Sequence, residues 1–131
     1  MPLRISLKAH ERLIVGGAVL RNGAHRCDLL VENDVAILRG KEVLSLDEAS
    51  SPCRRIYFAI QLMYVDPDRR DDHRALFFQL LREVAVAAPS SRPLLVEISE
   101  KVGSGAYYQA LKLGRQLIAH EEELISHVAC R

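Results

Sequence analysis

Between Leu44 and Pro52 the hydrophobic period of this chain changes, and no single type of secondary structure accommodates both sides of the change. Before it, Leu3, Ile5 and Leu7 alternate with Arg4, Ser6 and Lys8, the period of two that half-buries a strand. After it, Ile56, Ala59, Ile60, Met63 and Tyr64 recur at helical spacing. The pattern predicts an α+β protein: a small antiparallel β meander or partial barrel, followed by a bundle of about four helices. Residues 1–46 form the β-rich region and residues 50–131 the helical region, and a chain of 131 residues is expected to pack them as one unit.

In the β-rich region, short apolar runs are separated by turn residues. Leu13–Val15 is interrupted by Gly16-Gly17, and Ala18–Leu20 follows. Asn22-Gly23 is a strong hairpin signal, because both residues tolerate the positive φ of a tight turn. Cys27–Val31 reads as a further strand, Asn33-Asp34 as a turn and Val35–Leu38 as a last strand. A sheet this small leaves edges open, so a homodimer or higher oligomer is expected.

The helical region opens on Ser51, an N-cap residue, with Pro52 at the first helical position. Asp66-Pro67 ends the first helix. Asp71 and Asp72 suit the positive end of the second, whose predicted stripe is Leu76, Leu80, Leu81, Val84 and Ala88. Pro89-Ser90-Ser91 reads as a loop, Pro93–Val102 as a third helix and Gly103-Ser104-Gly105 as its end. The fourth begins near Ala106 and carries Tyr107, Ala110, Leu111, Leu117 and Ile118.

Charge and cysteine usage exclude several classes. The net charge of +1 favours neither nucleic acid nor membrane overall, but residues 1–26 set Arg4, Lys8, Arg12, Arg21 and Arg26 against the single carboxylate Glu11. Cys27, Cys53 and Cys130 are odd in number and lack CxxC spacing, which argues for reduced thiols. Met1-Pro2-Leu3-Arg4 is no secretory h-region, and no apolar run approaches the roughly 20 residues a bilayer requires. A cytoplasmic protein without membrane contact is expected.

The side chains that carry chemistry are sparse. His25 and Cys27 form one weak ligand pair, with His120 and His127 elsewhere, short of the two close pairs of a structural zinc site. Glu121-Glu122-Glu123 reads as a solvated helix face. Cys53 sits near a helix N-terminus that would lower its pKa, but nothing supplies a base, so it reads as a packing or capping residue. Gly16-Gly17 lacks phosphate-loop spacing. No enzymatic activity and no cofactor are expected. On the first strand, Arg4, Ser6 and Lys8 share the polar face. They suit either contact with phosphates and unstacked bases of RNA or a solvated face that discourages edge aggregation.

Two longer blocks carry a resemblance. Arg54–Pro67, reading RRIYFAIQLMYVDP, and Tyr107–Ile118, reading YYQALKLGRQLI, resemble the FlbT family, as do Pro2–Lys8 and Gly17–Gly23. The resemblance implies a post-transcriptional regulator of flagellin synthesis in alphaproteobacteria. Such a protein associates with the 5′ untranslated region of flagellin mRNA and alters its translation and lifetime, in partnership with the regulator FlaF. Residues 3–43 also look like the carbon storage regulator family, through Glu11, Leu13–Gly16 and Val35–Arg39. That family exchanges its first and last strands between subunits to make an RNA-binding face. Arg39 and Lys8 fall at its basic positions, whereas Leu7 replaces an Arg and His10 its usual Gly. The implied RNA-binding residues are Arg4, Ser6, Lys8 and Arg39. The alternative is a chaperone-like module binding flagellin or FlaF through the last helix, where Tyr107 and Tyr108 cannot both point inward and are the candidate partner-binding residues.

Overall fold

A computed structural model describes residues 2–129; Cys130 lies outside the described residues. The chain divides into two units, one ending at Val43 and the other beginning at Leu44. The first holds five antiparallel strands and the second four α-helices, so the fold is α+β.

The strands are β1 (Leu3–Leu7), β2 (Arg12–Val15), β3 (Ala18–Arg21), β4 (Cys27–Val31) and β5 (Ile37–Arg39). They form two sheets rather than one consecutive meander: β1 pairs with β4, and β2 lies between β3 and β5. The alternation read along β1 directs Ile5 and Leu7 inward, where they meet Leu13, Val15, Cys27, Val31 and Ile37. This small aliphatic core fixes the registers Ser6 opposite Asp28 and Leu13 opposite Arg39. A slip of one residue would turn every core side chain to the wrong face.

The hairpin turn is not where the strongest dipeptide put it. Val15 pairs with Ala18, so Gly16-Gly17 is the two-residue turn joining β2 and β3. Gly16 has φ +58, the left-handed value that a type II′ turn needs at its first central position. Asn22 instead ties loops together, its amide donating to the carbonyls of Lys8 at 2.7 Å and His25 at 2.9 Å. The strands flanking Asn22-Gly23 belong to different sheets. The last strand is also shorter than the apolar run Val35–Leu38, beginning only at Ile37.

The helices are α1 (Pro52–Val65), α2 (Arg70–Ala87), α3 (Arg92–Gly103) and α4 (Tyr107–Ala129). Ser51 caps α1 as expected, accepting the Arg54 amide N–H at 3.2 Å, with Pro52 at the first position. Helix α1 packs along α2 and α4, and α3 packs along α4. Ile56, Ala59, Ile60 and Met63 are fully buried on α1. Each large aliphatic side chain so buried contributes about 1.5–3 kcal/mol. Gly114 of α4 allows close approach to α1, since a Cβ there would lie 3.1 Å from the Tyr57 ring.

The stripe on α2 is displaced from the predicted one. Phe77, Leu80 and Val84 are buried, while Leu76 is 42% exposed. Both Leu76 and Phe77 are apolar, and packing selects the one that stays in phase with Leu80 and Val84. The Pro89–Ser91 segment is a 3-10 turn, stabilised by the Ser91 hydroxyl donating to the Ala88 carbonyl at 2.5 Å.

Candidate nucleic-acid interface

On the outer face of the β1–β4 pair, Arg4 and Ser6 converge on one carboxylate. Asp28 Oδ1 accepts the Ser6 hydroxyl at 2.6 Å, and Asp28 Oδ2 accepts Arg4 Nη2 at 3.1 Å. The register places Asp28 directly opposite Ser6, which explains the pairing across the chain. The Ser6 hydroxyl first, and then Arg4, hold the Asp28 carboxyl below its usual range. Both ion-pair partners are open to solvent, at 76% and 49% exposed, so water and salt screen the bridge. Arg4, Asp28, Leu29 and Leu30 line an open depression beside it.

At a second place, the corner where β1 ends, the Lys8 backbone and the Arg39 side chain reach one carboxylate, that of Glu11. One carboxylate oxygen, Oε1, accepts the Lys8 amide N–H at 2.9 Å. The other, Oε2, lies 3.5 Å from Arg39 Nε. The hydrogen bond from the Lys8 amide is the main cause that lowers the Glu11 pKa; burial opposes it, and the charge of Arg39 adds to the lowering. Arg39 also donates through Nη2 to the Ser6 carbonyl, so it spans from β5 to β1. Its side chain is 41% exposed and that of Glu11 is 15% exposed.

Gly40 makes room for this carboxylate. It adopts φ +55, and a Cβ there would sit 2.7 Å from Glu11 Oε2. The adjoining residue His10 is left-handed as well, at φ +62, the position where the resemblance predicts Gly. A side chain at such a φ carries about 1–2 kcal/mol of strain.

The four residues read from the sequence therefore gather around β1, but in two groups. Arg4 and Ser6 lie on its outer face; Lys8 is exposed at its end, and Arg39 reaches the Ser6 backbone from the other sheet. Within this chain, β1 and β5 pair with β4 and β2 respectively. Asp28 and Gly40 belong to no sequence motif, and Glu11 enters the sequence reading only through the carbon storage regulator resemblance, without a role at the site. A further signal for Glu11 is its isolation as the one carboxylate among the basic residues of the N-terminal stretch.

In the helical unit the two tyrosines separate. Tyr107 is 7% exposed; Arg74 Nη2 donates to its hydroxyl at 2.9 Å, and the Arg70 guanidinium lies 4.8 Å from its ring centroid. Tyr108 is 38% exposed, 6.1 Å from the Tyr64 ring, with Lys112 5.2 Å over its face. The acidic run divides too. Glu121 is not a solvated residue: its carboxylate accepts the Ser51 hydroxyl and, at 3.1 Å, the Cys53 amide at the start of α1. Glu122 pairs with Arg54 at 2.5 Å. Burial, followed by the charge and hydrogen bond of Glu121, pushes the Cys53 thiol up to about 12. The helix-dipole effect expected from its position is overridden, and the thiol stays protonated. Among the described residues no three His, Cys, Asp or Glu side chains are grouped to hold a metal, and no helix is long and apolar enough to cross a membrane.

A five-strand unit with a polar, arginine-bearing strand face, followed by a four-helix unit, defines a small α+β protein. The chain belongs to the FlbT family: the family described as flagellar protein FlbT matches residues 3–125. It is 42% identical over 125 residues to the probable flagellum biosynthesis repressor protein FlbT 1 of Bradyrhizobium diazoefficiens, covering 95% of this chain and 85% of that one. It is 37% identical over 131 residues to a probable flagellum biosynthesis repressor protein FlbT of Caulobacter sp. (strain K31), covering 98% of this chain and 100% of that protein. The flagellum biosynthesis repressor protein FlbT of Caulobacter vibrioides is 36% identical over 131 residues, covering 98% and 93%. No solved structure matches the chain.

Proposed function

We propose that this protein regulates flagellin synthesis after transcription, by associating with the 5′ untranslated region of flagellin mRNA and altering its translation and lifetime. The observation that carries the reading is the gathering of Arg4, Ser6, Lys8 and Arg39 about a single strand. Phosphates are held by such side chains, and the release of counterions from the nucleic acid drives the association. The Arg4–Asp28 pair is exposed enough for the guanidinium to turn toward a phosphate at little cost. Leu29 and Leu30, beside Arg4, offer apolar surface to an unstacked base. The names of the relatives support repression as the direction of control. Under this reading the protein works in the cytoplasm, as a homodimer or higher oligomer joined through open strand edges; a monomeric mass at micromolar concentration would count against that assembly.

Crosslinking in cells, followed by sequencing of the bound RNA, tests the reading. Enrichment of the flagellin leader supports it. Recovery of protein partners with no enriched RNA overturns it, in favour of a second reading in which the helical unit docks flagellin or FlaF. The exposed ring of Tyr108 supports that second reading.

A further inference from the structure

We infer that Glu11 is the positioning residue of the basic corner: its carboxylate fixes the Arg39 guanidinium so that one edge remains for an RNA phosphate. The inference rests on the RNA reading above and adds an acidic residue to a site otherwise described by its cations.

The Arg39 guanidinium is tied at two places. It is planar and rigid, so tethering two of its three nitrogens fixes its plane. Nε faces Glu11 Oε2 at 3.5 Å, and Nη2 donates to the Ser6 carbonyl. The side chain is nonetheless 41% exposed, so part of the guanidinium faces solvent. An arginine held in this way has lost its rotamer freedom before a ligand arrives, and that ordering is no longer charged against binding. The seat of the carboxylate is itself built: Oε1 is occupied by the Lys8 amide, and Oε2 fills the space that the left-handed Gly40 leaves by lacking a Cβ. The same carboxylate ties the end of β1, from which Lys8 projects, so both cations take their places from one group.

Plain electrostatics makes the opposite prediction, which gives the idea a clean sign. A negative charge beside a phosphate-binding arginine repels the ligand. If Glu11 were only a bystander, neutralising it would tighten RNA binding. If it positions Arg39, neutralising it weakens binding even as the net charge becomes more positive.

The experiment measures fluorescence anisotropy with a synthetic flagellin-leader RNA and a length-matched scrambled RNA. The proteins are wild type, Glu11→Gln, Arg39→Ala and the double variant. Glutamine keeps an oxygen for the Lys8 amide but loses the ionic hold on Arg39. The expected result is a loss of about tenfold for leader RNA in Glu11→Gln, the scale of one charge-assisted contact, with a parallel fall for scrambled RNA, because a phosphate contact carries no sequence information. In the Arg39→Ala background the same substitution should change affinity by less than about twofold, because the residue through which it acts is gone. Gly40→Ala dislodges the carboxylate without changing charge and should reproduce the loss. Equal or tighter leader binding by Glu11→Gln, or an undiminished loss in the Arg39→Ala background, overturns the inference while leaving the RNA reading standing. A wild-type protein with no preference for the leader overturns both.

Discussion

Replacing Gly40 by Ala is the most demanding test of the corner that joins β1 to β5. Two costs arise. A Cβ at φ +55 brings about 1–2 kcal/mol of backbone strain. It would also stand 2.7 Å from Glu11 Oε2 and force the carboxylate away from the Lys8 amide and Arg39. A hydrogen bond to a charged group is worth about 1.5–3 kcal/mol, reduced here to about 1–2 because Arg39 is half exposed. Alanine returns about 0.4–1 kcal/mol by restricting the unfolded chain. The net expectation is a loss of about 1.5–3 kcal/mol. The assay is native-state hydrogen exchange at the β1 and β2 amides, which reports the opening free energy of the β unit itself. Gly17→Ala is the control, since no atom lies within 4 Å of its built Cβ and its φ is not left-handed; it should stay within about 1 kcal/mol of wild type. In a Glu11→Ala background only the strain remains, so the Gly40→Ala cost should fall by about 1–2 kcal/mol. A Gly40→Ala variant no less stable than Gly17→Ala, or a cost indifferent to Glu11, would refute the reasoning.

Other consequences follow from the same geometry. Ser51→Ala removes the α1 cap and a partner of Glu121, and should cost about 1 kcal/mol in chemical denaturation followed by far-UV circular dichroism. A thiol raised to about 12 has on the order of one thiolate in ten thousand near pH 8, so Cys53 should escape iodoacetamide while half-buried Cys27 is labelled; equal labelling by mass spectrometry would contradict this. Glu11 and Asp28 are both held below their ordinary values of 4.5 and 3.8. Their stabilisation is therefore complete above those values and lost as pH falls through the lower folded-state values, where the unfolded chain binds more protons. Glu11→Gln should flatten the acid limb of stability measured by hydrogen exchange, and an unchanged limb would remove Glu11 from the account.

The sequence shows a feature plainly where it is local. The alternation of β1 and the Ser51-Pro52 start of α1 depend on neighbours a few residues away, and both are found in place. Two turn-prone dipeptides lie six residues apart, and strand pairing, not local preference, makes Gly16-Gly17 rather than Asn22-Gly23 the hairpin turn. On α2, periodicity allowed Leu76 or Phe77 to face inward, and only packing decided. The role of Glu121 at the start of α1 spans some seventy residues of sequence, beyond any local pattern. The candidate site divides in the same way. Arg4 and Ser6 on one face follow from strand period, whereas their shared Asp28 depends on the β1–β4 register. Glu11, Gly40 and Arg39 come together only through the pairing of β2 with β5.

The central claim is that RNA is held at the Lys8–Arg39 corner. The most direct measurement is the affinity of leader RNA across a salt series, for wild type and for the Lys8→Ala, Arg39→Ala double variant. The account predicts weaker binding and a slope of log affinity against log salt reduced by about one for each phosphate contact removed. Unchanged affinity together with an unchanged slope would contradict it.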